Sequence, residues 1–273
     1  MTNFEKIKSM SINEMASKRL IWKDEFGDTH TSDERIKGEK MIVRFENCDC
    51  MRLLNVLPSS SISLIVTDPP YKTTARGNTG TSGGMFQKAI NKTGQVFEYN
   101  DIDCTRYAPE FYRVLKEGGH CYVMTNHINL IHMLNVFCSC GFHFVKSLIW
   151  NKQNKIMGQY YMSQYEYILF FRKGKGKKIN NCGTSDILTV PSKKIKGKDG
   201  KNLHDTEKPV ELMQILIENS SKEGEWVLDP FAGIGATALA CQNTNRDFIG
   251  AEIDPKYYEI AKERMKNAES NEN

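Results

Sequence analysis

A chain of 273 residues, 40% apolar and 26% charged, is long enough for one large α/β domain or two small ones. These are the proportions of an ordinary globular protein, which excludes a fibrous or low-complexity chain, and no apolar run reaches the length of a membrane span. The net charge of +4 permits a nucleic-acid partner without demanding one. Eight cysteines are present and none forms a CxxC pair. The CxC pairs Cys48/Cys50 and Cys138/Cys140 have no His or Cys pair at zinc-site spacing. No metal is therefore expected, and the thiols read as reduced and mostly buried in a cytoplasmic protein. No apolar N-terminal segment signals secretion.

Residues 1–40 are polar and mixed in charge. Ile12, Met15, Ala16 and Leu20 predict an amphipathic helix across 12–22, and 23–40 reads as a loop. A packing role and a DNA-contacting role fit this extension equally. Residues 41–45 predict a strand that ends at Glu46-Asn47-Cys48-Asp49, and a short helix follows through Met51, Leu53, Leu54 and Leu57. Asp49 reads equally as a helix N-cap or a ligand.

Residues 62–66 predict a buried strand that stops on Thr67-Asp68-Pro69-Pro70-Tyr71. Open α/β sheets place ligands at the C-terminal ends of their strands. Pro69 and Pro70 hold φ near −65° and offer no backbone donor. With the Asp68 carboxylate, their carbonyls make a rigid corner that only accepts hydrogen bonds, and Tyr71 adds a flat face. Such a corner suits a planar group bearing an amino donor, as a nucleobase does.

Residues 72–103, rich in Gly, Ser, Thr and Asn, read as a functional or disordered loop. A helix is expected across 109–116, stopped by Gly118-Gly119. Then come a strand at 120–125, a helix at 128–140, and strands at 144–150 and 165–171. Alternating strands and helices predict an α/β fold with a doubly wound, mostly parallel sheet. Residues 172–201 carry ten basic side chains against two acidic ones. A solvated loop is the plain reading, and phosphate contact the sharper one.

His204-Asp205-Thr206-Glu207-Lys208-Pro209 leads into a helix across 209–221, with Pro209 at its first position. A short strand at 225–228 runs into the glycine turn Asp229-Pro230-Phe231-Ala232-Gly233-Ile234-Gly235. A helix from 238, a strand at 246–251 ending at Glu252, a helix at 257–266 and a polar tail at 267–273 complete the chain. Gly233 and Gly235 let backbone amides approach a ligand, and Glu252 stands where an acid accepts ribose hydroxyls. The turn also matches the loose dinucleotide fingerprint, so a nicotinamide oxidoreductase stays open. Asp229 favours an amino group over a pyrophosphate. S-adenosylmethionine, with its amino-acid end, ribose and base, uses every piece.

Together these motifs resemble the β group of DNA amino-methyltransferases, in which the catalytic motif precedes the cofactor motif. Asp68-Pro69-Pro70-Tyr71 resembles their catalytic motif. Residues 229–235 resemble their cofactor loop, and 204–209 their H-x-T-x-K-P element. Ile149-Trp150-Asn151-Lys152, Tyr165-Glu166-Tyr167-Ile168-Leu169 and Asn47-Cys48-Asp49-Cys50 are similar to further family stretches, with Cys48 where the family often has Gly. The likeness spans about 41–266 and leaves 1–40 outside.

The resemblance implies a Rossmann-like methyltransferase domain with permuted motifs, and DNA-recognition loops at 72–103 and 151–203. It implies that a base flipped out of double-stranded DNA is methylated on its exocyclic amine. Asp68 and the Pro69 carbonyl would hold the amine within the corner completed by Pro70, and Tyr71 would stack on the base. Asp229, Phe231, Gly233 and Gly235 would line the methionine end of the cofactor. Glu252 would hold its ribose, and Asp49 with Cys50 would lie near its adenine. Lys208 would reach its carboxylate or be a surface lysine. The family often has Asp at the first motif position for adenine N6 and Ser for cytosine N4, so Asp68 favours adenine. Cytosine N4 is the alternative within the class, and an inactive DNA-binding module the alternative outside it. A homodimer stays open.

Overall fold

The structure, a computed structural model, describes residues 22–23, 29–30, 41–71, 102–156, 160–192 and 207–271. The chain divides into compact units of residues 1–40 and 41–273. In the first, β1 (Trp22–Lys23) pairs antiparallel with β2 (Thr29–His30). Apart from Trp22, the helix expected across 12–22 lies outside the described residues.

The second unit runs β3 (Val43–Glu46), α1 (Cys50–Val56), β4 (Ile62–Thr67), α2 (Cys104–Val114), β5 (Leu115–Thr125), α3 (Leu130–Ser139), β6 (His143–Ile156), β7 (Ser163–Arg172) and β8 (Ile187–Thr189). It continues with α4 (Val210–Ser220), β9 (Trp226–Asp229), α5 (Ala236–Asn243), β10 (Asp247–Ala251) and α6 (Pro255–Asn271). Strands β3 to β10 form one sheet in the order β3-β10-β9-β4-β5-β7-β6-β8. Only β7 runs against the others, antiparallel to both β5 and β6.

All six residues of β4 are buried, because helices cover both faces of the sheet. Leu64 and Val66 face a layer holding Leu212, Leu216 and Ile217 of α4. Ile65 faces the other layer, with Leu53 and Leu54 of α1, Phe111 of α2 and Phe137 of α3. Each such side chain contributes about 1.5–3 kcal/mol on burial. From β4 the chain winds outward through β5; from β9 it winds the other way through β10 to reach the edge beside β3. The sheet therefore changes direction between β4 and β9, and the crevice above that point is where open α/β sheets bind ligands.

Several boundaries differ from the sequence expectation. Helix α2 starts at Cys104, capped by the Asp103 side chain, and ends at Val114. Its apolar stripe of Tyr107, Ala108, Phe111 and Val114 spans Pro109, and packing outweighs the one helical hydrogen bond that proline removes. Gly118-Gly119 do not stop the helix. They lie within β5, where the register with β4 jumps from Ile62↔Leu115 to Leu64↔His120 and Gly118 takes φ +74°. Strand β8 sits inside the lysine-rich run, and α6 continues to Asn271 through most of the expected tail.

The reversal of β7 also relocates part of that run. Tyr167 lies beside Thr125 at one rim, and Arg172 lies beside His120 at the other. Arg172 and Lys173 thus begin at the rim opposite Asp68. Lys173 donates to the carbonyls of Tyr112 (2.6 Å) and Leu115 (2.7 Å), which ties down the end of α2. The expectation of phosphate contact is corrected at these two residues, while Lys193, Lys194, Lys196, Lys198 and Lys201 lie outside the described residues. Among the described residues, no helix is long and apolar enough to cross a membrane.

Candidate active site

Two loops meet at the switch point. Thr67, the last residue of β4, donates its hydroxyl to Asp229 Oδ1 at 2.7 Å, and the Phe231 amide donates to the same oxygen at 3.1 Å. Asp229 Oδ2 accepts from Thr237 Oγ1 at 2.6 Å. The Asp229 carboxyl is thus a brace between the acidic corner and the glycine turn. The acceptor capacity assigned to it from sequence is largely taken up by protein donors. Burial pushes its pKa up to about 6, against the pull of these hydrogen bonds.

Beyond Asp229 the chain turns through Gly233 (φ +55°) and Gly235 (φ +85°), a backbone that favours glycine. A β-carbon at Gly235 would stand 3.1 Å from Ala261 of α6, whereas one at Gly233 would meet nothing within 4 Å. The turn is therefore packed below and open above. Glu252, just past β10, accepts the Gly233 amide on Oε2 and the Asp254 amide on Oε1, both at 2.8 Å. Burial raises its carboxyl above the ordinary range. Asn47 fastens the neighbouring strand end by donating to the Glu252 carbonyl at 2.8 Å. Phe231 lies edge-on to Tyr107 at 5.2 Å. Cys50 is buried and its thiol is pushed up to about 12, mainly by burial. Asp49 is exposed and caps α1 by accepting the Met51 amide at 2.8 Å, so the capping reading holds for it.

On the other side of Asp68 lies a row of alternating charges. Lys208, 5% exposed, pairs with Asp68 Oδ2 and lies 3.4 Å from Glu166 Oε2. Lys152 pairs with Glu166 Oε1. The Trp150 ring lies 5.0 Å from the Lys152 ammonium and 6.0 Å from that of Lys208, and its indole donates to the Val190 carbonyl at 2.8 Å. Glu207, the residue before Lys208, pairs with Arg264 of α6 at 2.7 Å. Lys208 is thus no surface lysine, and its ammonium is directed at two carboxylates. Burial raises the Asp68 carboxyl above its ordinary value, opposed by Lys208. Burial acts on Glu166 in the same sense, but Lys208 and Lys152 overcome it and hold that carboxyl low. Burial and the Asp68 charge push the half-buried Tyr71 hydroxyl well up.

Two oxygens in the row accept no hydrogen bond among the described residues, Glu166 Oε2, which has the Lys208 ammonium at 3.4 Å, and Asp68 Oδ1. Asp68 Oδ1 is buried and, among the described residues, has no hydrogen-bond partner. Pro69, buried beside it, has no amide hydrogen to give, and neither has Pro70. A buried acceptor left unpaired costs about 1–3 kcal/mol. Sequence reasoning named Asp68 and Lys208 but not Glu166 and Lys152 as site residues. The signal for Glu166 was a lone acid in a strand that otherwise reads as apolar, whereas Lys152 lies two residues past the strand expected at 144–150 and had none of its own. Elsewhere, Asp103, Cys104 and His132 bring possible metal-ligating atoms within 4.8 Å of one another. The Asp103 carboxylate is already engaged there, capping Thr105 at 2.9 Å and pairing with His132 at 3.0 Å.

The profile of the family described as DNA methylase, of the N6 and N4 type, matches residues 62–263. The chain belongs to this family of DNA amino-methyltransferases. Among relatives of the methylase, the Type II methyltransferase M.HinfI of Haemophilus influenzae is 29% identical over 246 residues, 82% of this chain and 68% of its own. The Type II methyltransferase M2.LlaDCHI of Lactococcus lactis subsp. cremoris is 28% identical over 243 residues, 80% of this chain and 87% of its own. Among solved structures, the M1.HpyAVI–SAM complex superposes with a TM-score of 0.61 at 21% identity, covering 82% of this chain and all 100% of that one. The cytosine-N4-specific PvuII DNA methyltransferase gives 0.62 at 17% identity, covering 86% and 95%. These two likenesses establish the methylase fold.

Proposed function

We propose that the protein transfers a methyl group from S-adenosylmethionine to the exocyclic N6 of adenine at a specific site in double-stranded DNA. The observation that carries this reading is Asp68 Oδ1, a buried acceptor without a partner among the described residues, one residue from the brace that joins the acidic corner to the glycine turn. The open space above Gly233 and the acid at Glu252 fit the cofactor's amino-acid end and its ribose diol.

S-adenosylmethionine, when bound, supplies a methyl group on a sulfonium centre, and its acceptance by an amine releases one proton. The rest of the chemistry is positioning. An aromatic amine is a poor nucleophile because its lone pair is delocalised into the ring. Asp68 Oδ1 and the Pro69 carbonyl accept its two N–H bonds and favour a pyramidal nitrogen, whose lone pair then points along the line of transfer. These acceptors are fixed before the base arrives, so no reorganisation accompanies the reaction. Lys208 opposes the protonation of Asp68 and occupies Oδ2, which leaves Oδ1 for the substrate. Tyr71 supplies a ring for stacking. Extrusion of the base costs about a few kcal/mol, recovered through these contacts.

Adenine is preferred over cytosine because Asp68 opens the motif. Sequencing modified bases in DNA from cells that express the protein tests the reading directly. N6-methyladenine within one short motif is the expected result. N4-methylcytosine would transfer the same mechanism to the other base, and DNA without new methyl groups would end the proposal.

A further inference from the structure

Strands β6 and β7 form a hairpin whose base carries the charge row. Trp150 lies opposite Glu166, and the pairing extends through Asn151↔Tyr165 to Ile156↔Ser163. Between those last two pairs the register slips and Gln153 takes φ +63°. Bulges of this kind re-aim a strand and are frequent beside active sites. Past Ser163 stand Tyr160, Tyr161 and Met162, exposed by 88%, 92% and 53%. Such exposure is unusual for adjacent aromatic rings, since each tyrosine offers roughly 150–250 Å² for burial.

The rest of the arm points to the partner. Residues 151–165 contain Lys152 and Lys155 and no Asp or Glu. Asn151, Gln153, Asn154 and Gln164 add amides able to bond base edges or phosphates. From Glu166 to Tyr161 is five residues, about 16 Å of extended chain, roughly twice the depth of the major groove and enough to reach from the pocket to the base stack. A basic, acid-free hairpin that starts beside Asp68 and ends in bare aromatic rings matches a duplex from which a base has been removed.

We propose that Tyr160, Tyr161 and Met162 form a wedge that enters the DNA beside the target and fills the gap left by the extruded base. The idea rests on the DNA-methylation reading above. Apolar and aromatic side chains inserted between base steps offset the loss of stacking. The wedge then acts on extrusion, and not on cofactor binding or on methyl transfer itself.

The test compares Tyr160→Ala/Tyr161→Ala with wild type on two duplexes carrying the site found by methylation sequencing. One is fully paired, and in the other the target base faces an abasic position and needs no unpairing. On the paired duplex the double variant should lose about tenfold or more in kcat/KM, the loss returning to within about threefold of wild type on the abasic duplex. Affinity for S-adenosylmethionine and thermal unfolding should not move, because the rings are exposed. Tyr160→Phe/Tyr161→Phe should retain activity, since a wedge needs the ring and not the hydroxyl. A double alanine variant unimpaired on paired DNA, or equally impaired on both duplexes, overturns the wedge, as does a phenylalanine variant that fails like the alanine one. Wild-type protein that methylates neither duplex overturns the underlying reading and the wedge with it.

Discussion

The two rims of the sheet carry buried polar clusters of opposite character. At the rim where β5 enters, His120 Nδ1 bonds Ser220 Oγ at 2.8 Å, the Tyr122 hydroxyl bonds the same oxygen at 2.7 Å, and His120 Nε2 bonds the Lys177 carbonyl at 3.1 Å. Phe170 stacks on Tyr122 and meets His120 edge-on. The cluster is neutral, since burial holds the His120 pKa down to about 4, and both imidazole nitrogens have partners. At the rim where β5 leaves, Lys152, Glu166, Lys208 and Asp68 form a row of ion pairs, and among the described residues Asp68 Oδ1 has no partner. A satisfied neutral network stabilises and specifies a fold. A buried charged row is weak evidence for stability and carries a large desolvation cost. The difference teaches where to look for chemistry: at the cluster that is held in a state the fold alone does not require.

The sharpest way to break that contrast is to remove the open acceptor. Asp68→Ala should lower kcat by roughly a hundred- to a thousandfold or more, the scale of deleting one preorganised group at a reacting centre. Affinity for S-adenosylmethionine, measured by equilibrium binding, should stay close to wild type because Asp229, Gly233 and Glu252 are untouched. Methylation at the parental rate would remove Asp68 from the reaction.

Next in size is the loss of Lys208. Lys208→Met leaves two buried carboxylates facing each other, and denaturant unfolding should show a loss of about 3–5 kcal/mol. Its acid limb in kcat/KM should move up in pH, because Lys208 opposes the protonation of Asp68. Glu166→Gln, which keeps the shape and removes one negative charge, should move that limb down, because Glu166 favours protonation of Asp68. Lys152, Tyr71 and Asp229 also face Asp68, so the two shifts are read against wild type as a difference in sign. Shifts in the same direction would reduce the row to structural support.

What the sequence disclosed follows from the same physics. Asp68-Pro69-Pro70-Tyr71 was legible because few residues can build an acceptor-only corner, and the glycine turn because Gly233 and Gly235 need positive φ. The reversal of β7 was not legible, since a strand buried on both faces reads as the same apolar run in either direction. That reversal carries Glu166 to the active rim and Lys173 away from it. Strand β8 has three residues and is hidden among lysines. The wedge lay within a stretch assigned broadly to DNA recognition, but only coordinates show that its rings are bare.

A smaller effect should separate cofactor from substrate binding. Gly233→Val places a branched side chain in left-handed backbone and in the open space above the turn. Affinity for S-adenosylmethionine should fall about tenfold or more, equal to 1.4 kcal/mol or more. DNA binding measured without cofactor should change little.

A pH-dependent effect on stability alone belongs to the neutral cluster and sharpens the comparison from its other side. His120 has a native pKa near 4 against 6.5 for the ordinary side chain. Between these values the unfolded chain binds the proton and the native one does not, so stability falls as pH drops from 6.5 towards 4. Asp229, raised to about 6, works in the opposite sense, because its native form holds a proton that the unfolded chain releases. It therefore flattens the wild-type curve across the same range. His120→Gln removes only the first contribution, and Asp229 cancels when the two proteins are subtracted. The stability advantage of wild type over this variant, from urea midpoints at pH 7, 6, 5 and 4, should shrink by about 3 kcal/mol at most. A difference independent of pH would mean that His120 does not stay neutral in the native state, and the contrast between a neutral rim and a charged one would fail.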